Sequence, residues 1–212
     1  MGNAFRLDPD VALMLAVKEG DDDAFEELVG RHGPRLVGFF RRHMGDRDLA
    51  EDLAQETFLK VYRARKTYRP SARFRTWLLT IATNLMLNTR RYESKRLHVS
   101  LEVRDGSSEG DGRSSLMDPR ADGPPEASER DEIRRRVRLA VLELPENQRI
   151  AVALHRFEGL SYKEVAEVMG TTVKAIKSLL NRAKENLRRR LERDLRAYVT
   201  SDGRGPLAGD VP

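Results

Sequence analysis

The chain has 212 residues, enough for one large or two small domains, and none of them is cysteine, which excludes disulfides, thiol catalysis and Cys-ligated metals and fits a reducing cytoplasm. Charged residues make up 34% and aromatics 6%, and Leu, Ala, Glu and Arg outweigh strand-like Val/Ile/Thr runs, so an all-α protein is expected. No apolar run approaches the ~20 residues of a membrane span, and the first residues are acidic where a signal peptide is basic, so the protein is expected to be cytoplasmic and not itself membrane-embedded.

The net charge of +5 is unevenly laid out. Residues 1–56 carry 7 basic and 13 acidic groups, net −6. Here Leu13 to Val17 predict a short first helix. Residues 21–44 predict a second, opened by an Asp cluster suited to a helix N-terminus. Its buried side is Phe25, Leu28, Val29, Leu36, Phe39 and Phe40, and Gly33–Pro34 should kink or divide it. Residues 46–65, DRDLAEDLAQETFLKVYRAR, predict a third helix. Leu49, Ala50, Leu53, Ala54, Phe58 and Val61 face inward, and Asp48, Asp52, Gln55 and Leu59 form the opposite stripe, spaced by three and four residues. The carboxylates Asp48, Glu51, Asp52 and Glu56 run along this helix instead of converging, with no His or Gly-rich phosphate loop beside them. A metal-dependent enzyme therefore fits poorly, no metal or cofactor is expected, and an acidic protein-docking face fits better.

Residues 57–97 reverse the sign, with 11 basic groups against 1 acidic. Pro70 and Ser71 break the pattern into a loop, KTYRPSARFR, and a fourth helix leaves it, FRTWLLTIATNLMLNTRR, from Phe74 to Arg91. Leu78, Ile81, Ala82 and Leu85 pack, and Phe58, Leu78 and Ile81 are better core candidates than Phe74. Tyr68, Arg69, Arg73, Phe74, Arg75 and Trp77, followed by Asn84, Arg90 and Arg91, interleave rings with cations. That suits single-stranded nucleic acid, where bases stack on rings and phosphates meet charges. The Tyr68–Arg75 loop is the expected pocket for a flipped base.

Residues 98–132 are rich in Gly, Ser, Pro and acid, 4 basic against 10 acidic groups. They predict a flexible acidic linker between an N-terminal helical domain, 10–97, and a C-terminal one, 133–198, with 199–212 as a disordered tail. The C-terminal domain carries 16 basic and 8 acidic groups. Val137 to Leu144 predict a helix ended by Pro145; the next starts at Pro145 and stops at Gly159. Ser161 and Glu164 form a capping box for a short helix closing at Gly170, and a longer helix follows at once, which makes a helix-turn-helix. In the last helix Val173, Ile176, Leu180, Ala183 and Leu187 are expected inside. Lys174, Lys177, Ser178, Asn181, Arg182 and Glu185 face out, with side chains suited to base edges in a major groove. An autonomous helix-turn-helix regulator would account for this domain alone and would leave the acidic helix and the Trp77 block without a role.

Three stretches together resemble a known family. DRDLAEDLAQETFLKVYRA, with Asp52, Gln55, Glu56 and Phe58 in a D-x-x-Q-E-x-F pattern, and FRTWLLTIATNLMLNTRR are similar to region 2 of bacterial sigma-70 factors. LPENQRIAVALHRFEGLSYKEVAEVMGTTVKAIKSLLNRAKENLRRRL is similar to region 4. Two regions joined by a short linker resemble the extracytoplasmic-function (ECF) sigma factors in particular. The resemblance implies a non-enzymatic subunit of bacterial core RNA polymerase that directs promoter-specific initiation. It implies that the Asp48–Val61 helix docks on the polymerase clamp helices, with Asp52, Gln55 and Glu56 as contacts and Asp48 and Leu59 on the same face. It implies that Asn84 meets a flipped non-template base, with Phe74, Arg75, Trp77, Arg90 and Arg91 at the −10 melting site. Lys177, Ser178, Asn181 and Arg182, beside Lys174, would face the −35 bases, and region 4 would touch the polymerase flap. The linker would thread toward the RNA exit path, and an anti-sigma factor would be a further partner. This chain departs from the family at Leu179 and Asn181, where Arg and an aromatic or His are frequent, so no −35 sequence carries over.

Overall fold

The structure, a computed structural model, describes the backbone of residues 8–102 and 129–201, and the side chains of 8–92 and 133–193. Among the described residues there are eight α-helices and no strand. The chain divides into two compact units. Most of the predicted linker, with its path, and most of the tail lie outside the described residues.

The first unit holds α1 (Pro9–Glu19), α2 (Asp22–Met44), α3 (Arg47–Ala64) and α4 (Phe74–Glu102). Aspartate caps the first three. Asp8 accepts from the Asp10 N–H at 3.1 Å, Asp21 from the Ala24 N–H at 2.9 Å and Asp46 from the Leu49 N–H at 3.0 Å. Each satisfies an amide that the helix leaves open, on the positive end of its dipole. α1 and α2 close on Gly20 and Gly45 in the left-handed conformation, which costs a glycine little. Leu28, Leu36, Phe39 and Phe40 of α2 are buried with Ala50, Leu53, Ala54, Phe58 and Val61 of α3, Leu78, Leu79, Ala82 and Met86 of α4, and Val11, Met14 and Val17 of α1. Each large side chain so buried contributes roughly 1.5–3 kcal/mol.

Three expectations change here. α2 is not divided: Pro34 sits inside one helix of 23 residues. Pro34 removes one amide donor, but Leu28 before it and Leu36, Phe39 and Phe40 after it are all buried, so packing on both sides holds the helix through the defect. Phe25 and Val29 are only half-buried. α4 runs on to Glu102, past the expected helix end at Arg91 and the expected domain end at 97, because no Gly or Pro stands between Phe74 and Glu102 to stop it.

The second unit is framed by α5 (Glu129–Leu142), α6 (Glu146–Val152) and α8 (Val173–Ser201). In sequence, α7 (Tyr162–Val168) leads into α8. Leu144, Val152 and Ala183 pack as one cluster, flanked by Leu180 and Leu187. Polar ties add direction. The Asn186 amide donates to Gln148 Oε1 at 2.9 Å, Arg149 Nη1 to the Leu142 carbonyl at 2.7 Å, and Arg190 to Glu143 at 2.7 Å. α6 does not reach Gly159 as a regular helix; Ala153–Phe157 form a π-helical turn.

Candidate protein and nucleic-acid interfaces

The first surface is the outer face of α3. Its period buries Ala50, Leu53, Ala54, Thr57, Phe58 and Val61 and leaves Asp48, Asp52, Gln55 and Leu59 exposed. Leu59 keeps 50% of its surface in contact with solvent. A large apolar side chain standing among carboxylates suits a protein partner with a basic, partly apolar surface, since DNA would be repelled. Glu56 is half-buried at the edge of the stripe and pairs with Lys60 at 3.2 Å and Arg63 at 3.9 Å. Glu51 is engaged by Arg47 at 2.9 Å. Among the described residues no group of three or more His, Asp or Glu side chains is placed to hold a metal ion.

The second surface begins where α3 ends. A 3₁₀ turn, Arg65–Thr67, leads into the loop before α4. Tyr68 turns inward and is almost fully buried, tilted against Trp77 at 4.8 Å between ring centroids. Its hydroxyl makes no hydrogen bond among the described residues. Burial, then the Asp8 carboxylate, push the phenol up to about 12.

Phe74, expected at the DNA, has no exposed surface. Its ring lies 5.2 Å from His32 and 6.0 Å from Trp77, so it is a packing residue. It stands at the first position of α4, where Leu78, Ala82 and Met86 continue the same buried face at intervals of four. Trp77 is half-buried, braced by Tyr68 and Phe74 with part of its ring open. Trp77, Asn84 and Arg91 share one helical stripe, and Asn84 and Arg91 are exposed. Asn88, a residue not singled out by the sequence, is exposed on the same stripe, one turn beyond Asn84. Arg75 and Arg90 are half-buried, and Arg69 and Arg73 are exposed on the loop.

Both ends of this loop are held by α1. Lys18 Nζ donates to the Tyr68 carbonyl at 3.1 Å, and the Phe74 N–H donates to Asp8 Oδ2 at 3.2 Å. Asp10 in turn accepts from Arg31 at 2.9 Å and from His32 Nε2 at 2.8 Å. These contacts join residues 50 and 66 positions apart, and no local pattern announces them.

The third surface is the helix-turn-helix. The π-helical turn leaves His155 Nδ1 donating to the Leu160 carbonyl at 2.8 Å, with its ring 4.8 Å from Tyr162. The capping box follows: Glu164 accepts from the Ser161 amide at 2.9 Å, and Ser161 Oγ accepts from the Glu164 amide at 3.3 Å. Gly170 takes φ +60° at the turn, and Thr172 Oγ1 caps α8 by accepting from the Ala175 amide at 3.2 Å. α8 buries Ile176 and Ala183 and presents Lys174, Lys177, Ser178, Asn181 and Arg182, all exposed. Val173, expected inside, is 38% exposed, because it opens α8 one turn ahead of Ile176, where that buried face begins.

Comparison with known proteins follows this division. Residues 28–96 match the family described as Sigma-70 region 2, and residues 134–187 match Sigma-70, region 4. RNA polymerase sigma-H factor of Pseudomonas aeruginosa is 35% identical over 187 residues, covering 88% of this chain and 96% of that protein. The ECF RNA polymerase sigma-E factor of Haemophilus influenzae is 31% identical over 183 residues, 86% of this chain and 95% of that one. A solved structure of CnrH in complex with the cytosolic domain of CnrY superposes with a TM-score of 0.63 at 26% identity, over 88% of this chain and 99% of that one.

Proposed function

The chain belongs to the sigma-70 family, in its extracytoplasmic-function branch, and from that premise we propose how its three surfaces share the work of a sigma factor. It binds core RNA polymerase and directs promoter-specific transcription initiation; its family acts by recognition and not by catalysis. α3 is the polymerase-docking helix, through Asp48, Asp52, Gln55, Glu56 and Leu59 on the clamp helices. The loop before α4 and the stripe Trp77, Asn84 and Arg91, with Arg75 and Arg90 at its flanks, melt the −10 element and hold its non-template strand. α8 reads the −35 element in duplex form through Lys174, Lys177, Ser178, Asn181 and Arg182, and the C-terminal unit meets the flap. The working domains are 10–97 and 133–198, joined by 98–132.

The observation that carries this reading is the separation of charge by surface. An exposed acidic stripe with Leu59 lies on one helix, exposed Arg69, Arg73 and Arg91 lie on the loop before α4 and on α4, and a basic exposed face lies on α8. Among the described residues no helix is long and apolar enough to cross a membrane. The factor works in the cytoplasm, on chromosomal promoters. A regulatory protein partner, an anti-sigma factor, belongs to the same reading; the similar chain CnrH was solved bound to a second protein, the cytosolic domain of CnrY.

The test is size-exclusion chromatography of the purified chain with bacterial core polymerase. Wild type is expected to co-elute, and the double reversal Asp52→Lys, Glu56→Lys is expected to elute free while keeping its helical circular dichroism. Co-elution that survives the reversal would move the docking face elsewhere.

A further inference from the structure

The helix α1 lies outside residues 28–96, the part that matches region 2. Yet it touches the loop before α4 at two points. Lys18 holds the Tyr68 carbonyl, where the chain enters the loop, at 3.1 Å. Asp8 holds the Phe74 amide, where the chain leaves it for α4, at 3.2 Å. We propose that α1 is a strut that presets the DNA-opening loop, with Lys18 and Asp8 as positioning residues for capture of the melted strand. The inference rests on the reading of this loop and α4 as the strand-holding surface.

Three features support a strut over an incidental contact. Lys18 and Asp8 stand at opposite ends of one helix, ten residues apart, which fixes their spacing at about 15 Å along the axis. Asp8 divides its carboxylate: Oδ1 caps α1 through the Asp10 amide and Oδ2 takes the Phe74 amide, so one side chain starts two helices. α1 is itself referenced to α2 through Asp10, which accepts from Arg31 and from His32, and the His32 ring lies against Phe74. The loop carries Arg69 and Arg73 at its surface between these fixed ends. A loop ordered before binding loses less conformational entropy when it closes on a flexible single strand, and its contacts are worth correspondingly more. Core-polymerase docking uses the outer face of α3, which neither residue touches.

The experiment uses holoenzyme assembled from core polymerase and the full chain. A promoter is first selected by wild-type holoenzyme from a random-sequence duplex library. The fluorescein-labelled non-template strand of its −10 element is then titrated with holoenzymes carrying Lys18→Met, Lys18→Arg, Asp8→Ser or Asn84→Ala. Asp8→Ser keeps an oxygen to cap α1 and loses the one that reaches Phe74. Lys18→Met and Asp8→Ser are expected to bind this strand about three- to tenfold more weakly, the size of one lost hydrogen bond. Permanganate reactivity of the −10 thymines on the duplex promoter should fall with it, affinity for core polymerase should stay unchanged, and Lys18→Arg should restore both. Unchanged strand affinity in Lys18→Met and Asp8→Ser, with a loss in Asn84→Ala, overturns the strut and leaves the strand-holding reading standing. No change in any variant overturns both. A parallel loss of core binding overturns the strut too, since it marks general unfolding of the first unit. Should Asp8→Ser not fold, Lys18→Met against Lys18→Arg decides alone.

Discussion

Tyr68 shows how one side chain can join packing to a site. Its ring braces Trp77, the chain's only tryptophan, while its buried hydroxyl makes no hydrogen bond among the described residues. An unpaired buried hydroxyl costs about 1–3 kcal/mol, so Tyr68→Phe is expected to leave stability unchanged or raise it by about 1 kcal/mol in urea denaturation at neutral pH. The phenol is raised from its ordinary 10.0 to about 12 in the folded chain. The folded state therefore favours the protonated form. That contribution is complete below pH 10 and is lost as pH rises toward 12, because the unfolded chain ionises first. Wild type should lose stability across that window and Tyr68→Phe should lose less, with Trp77 fluorescence as the local reporter.

Among the elements, α8 has the most specific prediction. Arg182 is exposed on the face opposite Ile176 and Ala183. Arg182→Ala is expected to cost about 1–3 kcal/mol on the selected −35 element in a binding titration, and less on scrambled duplex. An equal loss on all duplexes would make it a phosphate contact. The helices themselves were legible because their signals are local: Asp21, in the Asp cluster, and the Ser161–Glu164 pair cap the helices that the sequence has them open. The stripe on α3 was legible for the same reason, since helical period alone separates Leu53 from Asp52. What escaped depends on distant partners. Phe74 reads as a possible DNA contact until His32 and Trp77 cover it. Pro34 reads as a break until the buried residues on both sides of it hold α2 together. Lys18 and Asp8 read as ordinary helix-end charges, because their loop partners lie 50 and 66 residues away.

At the scale of the whole molecule, the first four helices bury a core of their own, built from α1, α2, α3 and α4. A fragment of residues 8–102 keeps α3 and α4 entire, so it is expected to co-elute with core polymerase in size-exclusion chromatography and to lose preference for the −35 element in footprinting. Absence of co-elution would assign part of the docking energy to the second unit. The π-helical turn Ala153–Phe157 bears on a different property, tolerance to changes in chain length. A π-turn absorbs one residue more than an α-turn, and here Ile150 to Val152 before it, Ala153 and Leu154 within it and Leu160 after it all remain buried. One residue gained or lost at this place is taken up by the width of the ring. The same change inside α8 would swing every later side chain by about 100° and bring a different set to its exposed face. The turn is thus an expansion joint: deleting one residue there is expected to leave the exposed face of α8 unchanged, with helical circular dichroism and duplex binding as the checks.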